Sequence, residues 1–393
     1  MVKYAVGLDV SSQKINACMV SIDAIQQFKV VATTVIQNNL KGFSTLDAWV
    51  KKHQKQKEIS LSFCIEATGI YHENCALFLH KNHYAVSIVL PNKSKKYIQS
   101  LGFKTKNDEI DAKGLAMMAV QQNLKHWQPL NGFYYELRGY TRQHQSLTEQ
   151  KTVFKNQLHA VELGMYKNKV VEKQLAKMIS FLEKQIEELE EHIVKKINTE
   201  PRVKSKVENI LKIKGVGMLT VAIILAETGG FELFENSKQL VSYAGYDVIE
   251  NSSGLHMGKT KISKKGNSRI RRCLYMPAFS VVKYKQTAFI NIYERTLVKH
   301  NLKMKSYVAV QKKLLTTIYA LWKNNKEFDN DFHAKNIQEK EQELASLHGF
   351  EKAKKNSHDN TAMATLGKHP VSDHSVLPLC NVKNNRKLNL VEK

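Results

Sequence analysis

Paired cysteines, acidic residues and long apolar stretches are what this sequence has little of. Five cysteines, Cys18, Cys64, Cys75, Cys273 and Cys380, are scattered over 393 residues. Their number is odd and no two stand as C-x-x-C, so neither a disulfide framework nor a zinc site is indicated, and reduced thiols in a cytosol are expected. No apolar run approaches about 18 residues, and no signal-peptide h-region follows the opening MVKYAVGLDV. A helical membrane span and export are thereby set aside, and a cytoplasmic protein is the expectation. Acids number 36 against 60 Lys and Arg, a formal net charge of +24. A surplus of that size and sign attracts polyanions through counterion release, which makes nucleic acid the leading partner.

What is present suffices for a packed protein of two or three domains, with 42% hydrophobic residues. From residue 4 to about 125 short β-rich runs alternate with helical ones. YAVGLDVSS, INACMVSI and FKVVATTVI read as three strands, GFSTLDAWVKKH as a helix, ISLSFCIEAT as a buried strand, HENCALFLHKN as a helix, and YAVSIVL as a strand ended by Pro91. That alternation implies an α/β layer fold with a mixed sheet, its first three strands an antiparallel meander at one edge. The stretch from about 136 to 198 is charged and free of proline, with Leu175, Met178, Leu182, Ile186, Leu189 and Ile193 at spacings of three and four. It reads as a coiled-coil or helical-hairpin seam, closed by Pro201. Residues 205 to about 330 form a second, mostly helical unit with a polar, glycine-containing insertion at 245–268; from about 335 onward the chain is polar and reads as a disordered tail.

Several acids stand where charge is costly. Asp9 lies in VGLDVSS and Glu66 in FCIEATG, each within an apolar strand. A carboxylate there loses several kcal/mol to desolvation unless it is paired or coordinated. In KTKNDEIDAKGLA, Asp108 and Asp111 fall three apart, neighbours on one helical face, and repel each other unless a cation sits beside them. A solvated first turn, where acids favour the helix N-terminus, is the plain alternative. Together the four offer hard oxygen ligands of the kind that Mg2+ or Mn2+ prefers, and two such ions activate an attacking oxygen and stabilise a leaving one at a phosphodiester.

The cations cluster further on. KGVGMLTVAIILAE sets Gly215 and Gly217 ahead of an apolar helix, like a helix-hairpin-helix element that aims backbone N–H groups at phosphate; a tight structural turn is the equal alternative. In ENSSGLHMGKTKISKKGNSRIRRCLYMPA, Lys259, Lys261, Lys264, Lys265, Arg269, Arg271 and Arg272 come with no acid among them. Ile270, Cys273 and Leu274 mark the buried side of a helix and leave Arg269 and Arg272 on an exposed face suited to clamping phosphate. Ser252 and Ser253 precede Gly254 in a polar loop, as a nucleophile approaching a bulky backbone would; basic neighbours would activate it and neutralise the phosphate. An ordinary Ser-Ser-Gly turn on a basic surface is the competing reading. His256 is a weak candidate for proton acceptor.

Taken in order, YAVGLDVSSQK, FCIEATGIY, KTKNDEIDAKGLA, the charged helical seam, IKGVGMLTVAIILAE, LVSYAGYDVIENSSG, KISKKGNSRIRRCLYMPA and WKNNKEFD resemble the DEDD transposases of the insertion sequence 110 family, bridge-RNA-guided recombinases of bacteria. The resemblance covers most of residues 4–332. It implies a RuvC-like (RNase H fold) catalytic domain over 1–125, a coiled-coil linker used in oligomerisation over 126–203, and a mostly α-helical transposase domain with a catalytic serine over 204–332, leaving 333–393 as tail. It places the DEDD set, catalytic and metal-binding, on Asp9, Glu66, Asp108 and Asp111, and the nucleophile on Ser253, with Ser252 the alternative because the serine is doubled. Donor and target DNA, a noncoding bridge RNA, Mg2+ and a dimer assembling to a tetramer on DNA are the implied partners, and the acidic cluster of one subunit completes a composite site with the serine of another.

Two other functions fit parts of the sequence. A Holliday-junction-resolvase-like nuclease would use the acids alone and leave the serine incidental. A noncatalytic nucleic-acid-binding protein would keep the acids as relics of the fold. A sugar-kinase-like reading of GLDVSS is weaker, because no second phosphate loop follows and the chain is far too basic.

Overall fold

The computed structural model describes residues 2–105, 107–254, 256–258 and 260–332, with the side chains of His256 and Met257 left out. Lys259 and the tail beyond Phe332, both given a reading above, lie outside the described residues. The described chain forms two compact units, one of residues up to Pro201 with Leu219–Gln239, the other of Arg202–Met218 with the described residues from Leu240 onward.

The first unit is built on a five-stranded sheet. Strands β1 (Lys3–Val10), β2 (Lys14–Ile22) and β3 (Phe28–Gln37) form an antiparallel meander. After helix α1 (Leu40–His53) come β4 (Leu61–Glu66), α2 (Glu73–Lys81) and β5 (Ala85–Val89), and the sheet order is β3-β2-β1-β4-β5 with β4 parallel to β1 and β5 parallel to β4. This is the expected α/β, RNase H-like arrangement, meander included. Helices α3 (Pro91–Ser100) and α4 (Asp108–Gln121) complete it.

β1 is buried on both faces, which explains its nearly continuous apolar sequence. Tyr4, Val6, Leu8 and Val10 point to the core that holds Phe43, Leu46 and Val50 of α1 and Leu79 of α2. Ala5 belongs to the opposite face, where Cys18 and Cys64 meet Ala112, Leu115 and Ala116 of α4. Cys18, Cys64 and Cys75 are free and buried, and burial pushes the Cys18 thiol up to about 11 and the other two to about 12. The α3 helix has no counterpart in the reading of the sequence. Pro91, there taken as a strand terminator, is its first residue, a position where a missing N–H costs nothing.

The charged seam is a helical hairpin, α5 (Gly132–Leu163) and α6 (Lys169–Asn198), joined by a short turn. Leu175, Leu182, Ile186 and Ile193 are buried, while Met178 is exposed. Lys155 pairs with Glu183 at 3.0 Å and His144 with Glu190 at 2.9 Å across the two helices. Two helices follow, α7 (Pro201–Leu211) and α8 (Met218–Thr228). Glu227 of α8, with a side chain 1% exposed, is held by Nε and Nη2 of Arg142 on α5 at 2.8 and 3.0 Å. That fork is what makes a buried carboxylate tolerable.

After α9 (Ser237–Tyr243) the polar insertion folds as a two-stranded arm: β6 (Val248–Ile249) pairs with β9 (Lys261–Ile262), and further out β7 (Ser252–Ser253) pairs with β8 (His256–Met257). Helices α10 (Ser268–Cys273), α11 (Tyr275–Lys283), α12 (Thr287–His300) and α13 (Lys303–Asn324) build the rest of the second unit around Leu274, Val281, Phe289 and Leu314.

Candidate functional site

Two of the carboxylates stand side by side at one end of the sheet. Pairing of β1 with β4 runs to Leu8 opposite Ile65, so Asp9 and Glu66, each one residue further, lie next to each other on adjacent parallel strands about 5 Å apart. Side chains alternate along a strand, so Asp9 falls with Ala5 and Gly7, and Glu66 with Cys64, on the face that α4 covers. Both are partly buried.

What brings α4 to that face is Gly7. A Cβ built on it would stand 2.0 Å from the Ala112 carbonyl oxygen and 2.3 Å from the Ala116 nitrogen, so only a residue without a side chain lets the helix lie this close to β1. Asn107 caps the helix, its Oδ1 accepting from the Ile110 N–H at 2.8 Å, which fixes Asp108 at the first turn. Asn16, the cross-strand partner of Asp9, donates from Nδ2 to Asp108 Oδ2 at 3.5 Å. Asp108 is therefore joined through one asparagine to the position of Asp9, with half-buried Asp111 on the next turn inward. The acids also occupy the first turn of a helix, the plain alternative the sequence offered.

Three side chains that the sequence reading passed over tune this cluster. Ser94 of α3, fully buried, donates to Glu66 Oε2 at 2.5 Å and fixes that carboxylate. Lys14 sets its ammonium 3.6 Å from Asp108 Oδ2, and Asn16 bridges as described. Pro91 could have signalled the start of the helix that carries Ser94, but not the bond of that serine to Glu66. Among the described residues no three His, Cys, Asp or Glu side chains stand close enough together to hold an ion as they are. The donors themselves are of the kind a hard divalent ion takes, carboxylate oxygens, although the Lys14 ammonium already stands 3.6 Å from Asp108 Oδ2.

Ser252 and Ser253 sit exposed at the outer end of the arm in the second unit, next to Gly254 with φ of +54°. Gly215, φ +101°, packs so tightly on α11 that a Cβ would meet Ser280 Cβ at 2.6 Å, whereas a Cβ on Gly217 meets nothing within 4 Å. The turn thus has a packing reason at Gly215 and open space at Gly217. Of the cations, Lys261, Lys264, Lys265 and Arg272 are exposed. Arg271 donates from Nη1 to the Ala244 carbonyl at 2.8 Å, bracing the arm's root, and Arg269, expected on the exposed face with Arg272, is half-buried. Ile270 and Leu274 are buried as the spacing implied, Cys273 only in part. The carboxylates belong to the first unit and the serines to the second.

Comparison with known proteins adds the following. The family model DEDD_Tnp_IS110, described as Transposase, matches residues 6–166, and one described as Transposase IS116/IS110/IS902 family matches residues 207–294, together more than half of the chain. Pilin gene-inverting proteins of Moraxella bovis and Moraxella lacunata are each 29% identical over 334 residues, which cover 85% of this chain and all of theirs. Among solved structures, RuvC of T. thermophilus in complex with a Holliday junction substrate matches with 11% identity and a TM-score of 0.25, over 32% of this chain and 99% of that one. A Ppx/GppA family member of Aquifex aeolicus matches with 9% identity and a TM-score of 0.19, over 25% of this chain and 38% of that one. Among the described residues no helix is long and apolar enough to cross a membrane.

Proposed function

The chain belongs to the insertion sequence 110 family of DEDD transposases and is a DNA transposase or recombinase; from that premise we propose that it cuts and rejoins donor and target DNA with Ser253 as nucleophile and Asp9, Glu66, Asp108 and Asp111 as the acidic half of the site. The observation that supports this reading is the adjacency of Asp9 and Glu66 on paired parallel strands, on the face against which α4, the helix bearing Asp108 and Asp111, packs at Gly7. In the proposed step the Ser253 hydroxyl oxygen bonds to phosphorus and the bond from phosphorus to a sugar oxygen breaks. The proton given up by the serine ends on the departing sugar hydroxyl, and the phosphoserine link conserves the bond energy for rejoining. Lys261, Lys264, Lys265 and Arg272 supply positive charge near the arm's root, where phosphates of the same strand pass.

Asp9, Glu66, Asp108 and Asp111 would hold Mg2+ or Mn2+, which when bound supplies charge neutralisation at the attacked phosphate. Ser94 and Asn16 orient Glu66 and Asp108 for that purpose. The acids of one subunit serve the serine of another in a dimer or higher oligomer, and a noncoding bridge RNA directs the choice of DNA, consistent with a charge of +24. The work is done in the bacterial cytoplasm.

Two substitutions test the division of labour. Asp108→Asn is expected to abolish strand cleavage while DNA binding persists, and Ser253→Ala to abolish strand exchange. Full exchange by Ser253→Ala, repeated with Ser252→Ala, would leave a metal-dependent nuclease in its place. Sequencing of RNA recovered with the purified protein tests the guide: a single structured species encoded beside the gene is expected, and protein free of such RNA yet fully active would remove it.

A further inference from the structure

The second unit contains a cavity of about 440 Å³ at the root of the serine-bearing arm. One wall is the arm itself, Val248 on β6 and Ile262 on β9, and the other is α13 with Met304 and Val308. Tyr246 forms part of the lining; its hydroxyl is already spent, donating to Gln311 Oε1 at 2.9 Å, so what it offers is ring surface. Around these apolar surfaces stand Lys261, Lys305, Lys312 and His300, and among the described residues no carboxylate lines the cavity. Val248 of the arm and Met304 of α13 are 60% and 51% exposed, so apolar surface from both walls is open at the cavity's mouth.

A ligand matched to this cavity is flat and apolar on one part and anionic on another. The volume lies in the range of about 300 to 1,000 Å³ usual for small-ligand sites. We infer that the cavity receives one unstacked nucleotide of a DNA strand, its base between Val248, Ile262 and Met304 and its phosphates on Lys261, Lys305 and Lys312. A base inside a duplex presents only its edge, so entry requires the nucleotide to leave the stack, as in enzymes that draw a base into a pocket. The inference rests on Ser253 as nucleophile for one point only, the place of that nucleotide along the strand. From Ile249 or Val248 to Ser253 the arm extends about 13 to 17 Å at the rise of a β-strand. The captured nucleotide is thus within roughly five of the attacked phosphate, counting about 3.4 Å for each stacked nucleotide. Capture there would hold the strand in register and keep the break open until exchange.

The test uses the full chain and a short oligodeoxythymidine carrying 5-iododeoxyuridine, with an oligouridine carrying 5-iodouridine as the RNA arm. Irradiation is expected to cross-link the DNA probe to Tyr246 or Met304, read by peptide mass spectrometry. Ala309→Phe, which fills the cavity, removes those cross-links and weakens probe affinity at least about fivefold. The double variant Lys305→Ala/Lys312→Ala, at one half-buried and one exposed position, weakens affinity to a similar degree and serves if the phenylalanine disturbs folding. Ser253→Ala keeps the cross-links. Cross-links that all map elsewhere, or affinity unchanged in both variants, overturn the inference, and so does cross-linking by the RNA probe alone. Strand exchange that survives Ser253→Ala with the cavity cross-links intact would instead sink the serine reading and leave the cavity standing.

Discussion

Gly7→Ala puts the close packing that assembles the acidic cluster to its hardest test. The added Cβ would lie 2.0 Å from the carbonyl oxygen of Ala112 and 2.3 Å from the nitrogen of Ala116. Unstrained separation is about 3.5 Å, so α4 must retreat from β1 by about 1.5 Å, and since both contacts are backbone no rotamer change relieves them. Overpacking of this kind costs about 1–3 kcal/mol, and a backbone clash belongs at or above the upper end. Asp108 and Asp111 travel with the helix, and a misplacement near 1 Å in a catalytic constellation costs about a hundredfold in rate. Gly139→Ala in the interior of α5 is the control: nothing lies within 4 Å of its Cβ, and a glycine leaves a helix interior. Urea unfolding followed by circular dichroism, with strand cleavage measured beside it, is expected to show about 3 kcal/mol and a hundredfold loss for Gly7→Ala against no loss of stability and near-normal cleavage for Gly139→Ala. Equal behaviour of the two variants would refute the reasoning.

Ser94→Ala removes the hydroxyl that donates to Glu66 Oε2, and a loss of about 1.5–3 kcal/mol by urea unfolding is expected, the worth of one hydrogen bond to a charged group, with cleavage down about tenfold as the carboxylate loosens; unchanged cleavage in the assay would contradict it. Arg142→Ala leaves Glu227 charged and buried without its fork, and a loss of about 3 kcal/mol is expected by urea unfolding, less for Glu227→Gln/Arg142→Ala. Burial holds the His72 imidazole below its ordinary value near 6.5 against the opposing pull of Glu73. The unfolded chain therefore takes up this proton before the folded one, and stability is expected to fall as pH drops from about 7 through the window below 6.5, less steeply in His72→Phe; identical slopes for the two proteins would rule this out.

The sheet was legible because alternation and buried runs carry it. Asp9 and Glu66 stood out as charges inside apolar strands, and their neighbouring positions follow from a parallel pairing that the strand pattern already implied. Less could be read where a residue's role depends on a distant partner. Nothing in the spacing of Gly7 announces a backbone contact with a helix more than a hundred residues on, nor does a serine behind Pro91 announce its bond to Glu66. Arg271 shows the limit of charge counting: it sits among cations, yet its guanidinium is engaged by the Ala244 carbonyl. The arm that carries Ser253 escaped because its strands are two residues long and have no room for a pattern.

The measurement that bears most directly on the account is mass spectrometry of the protein trapped with a nicked DNA substrate that cannot religate. A nucleotide phosphate on the peptide containing Ser253, absent from Asp108→Asn, is the result expected. DNA cleaved in full with every serine of that peptide unmodified would contradict it.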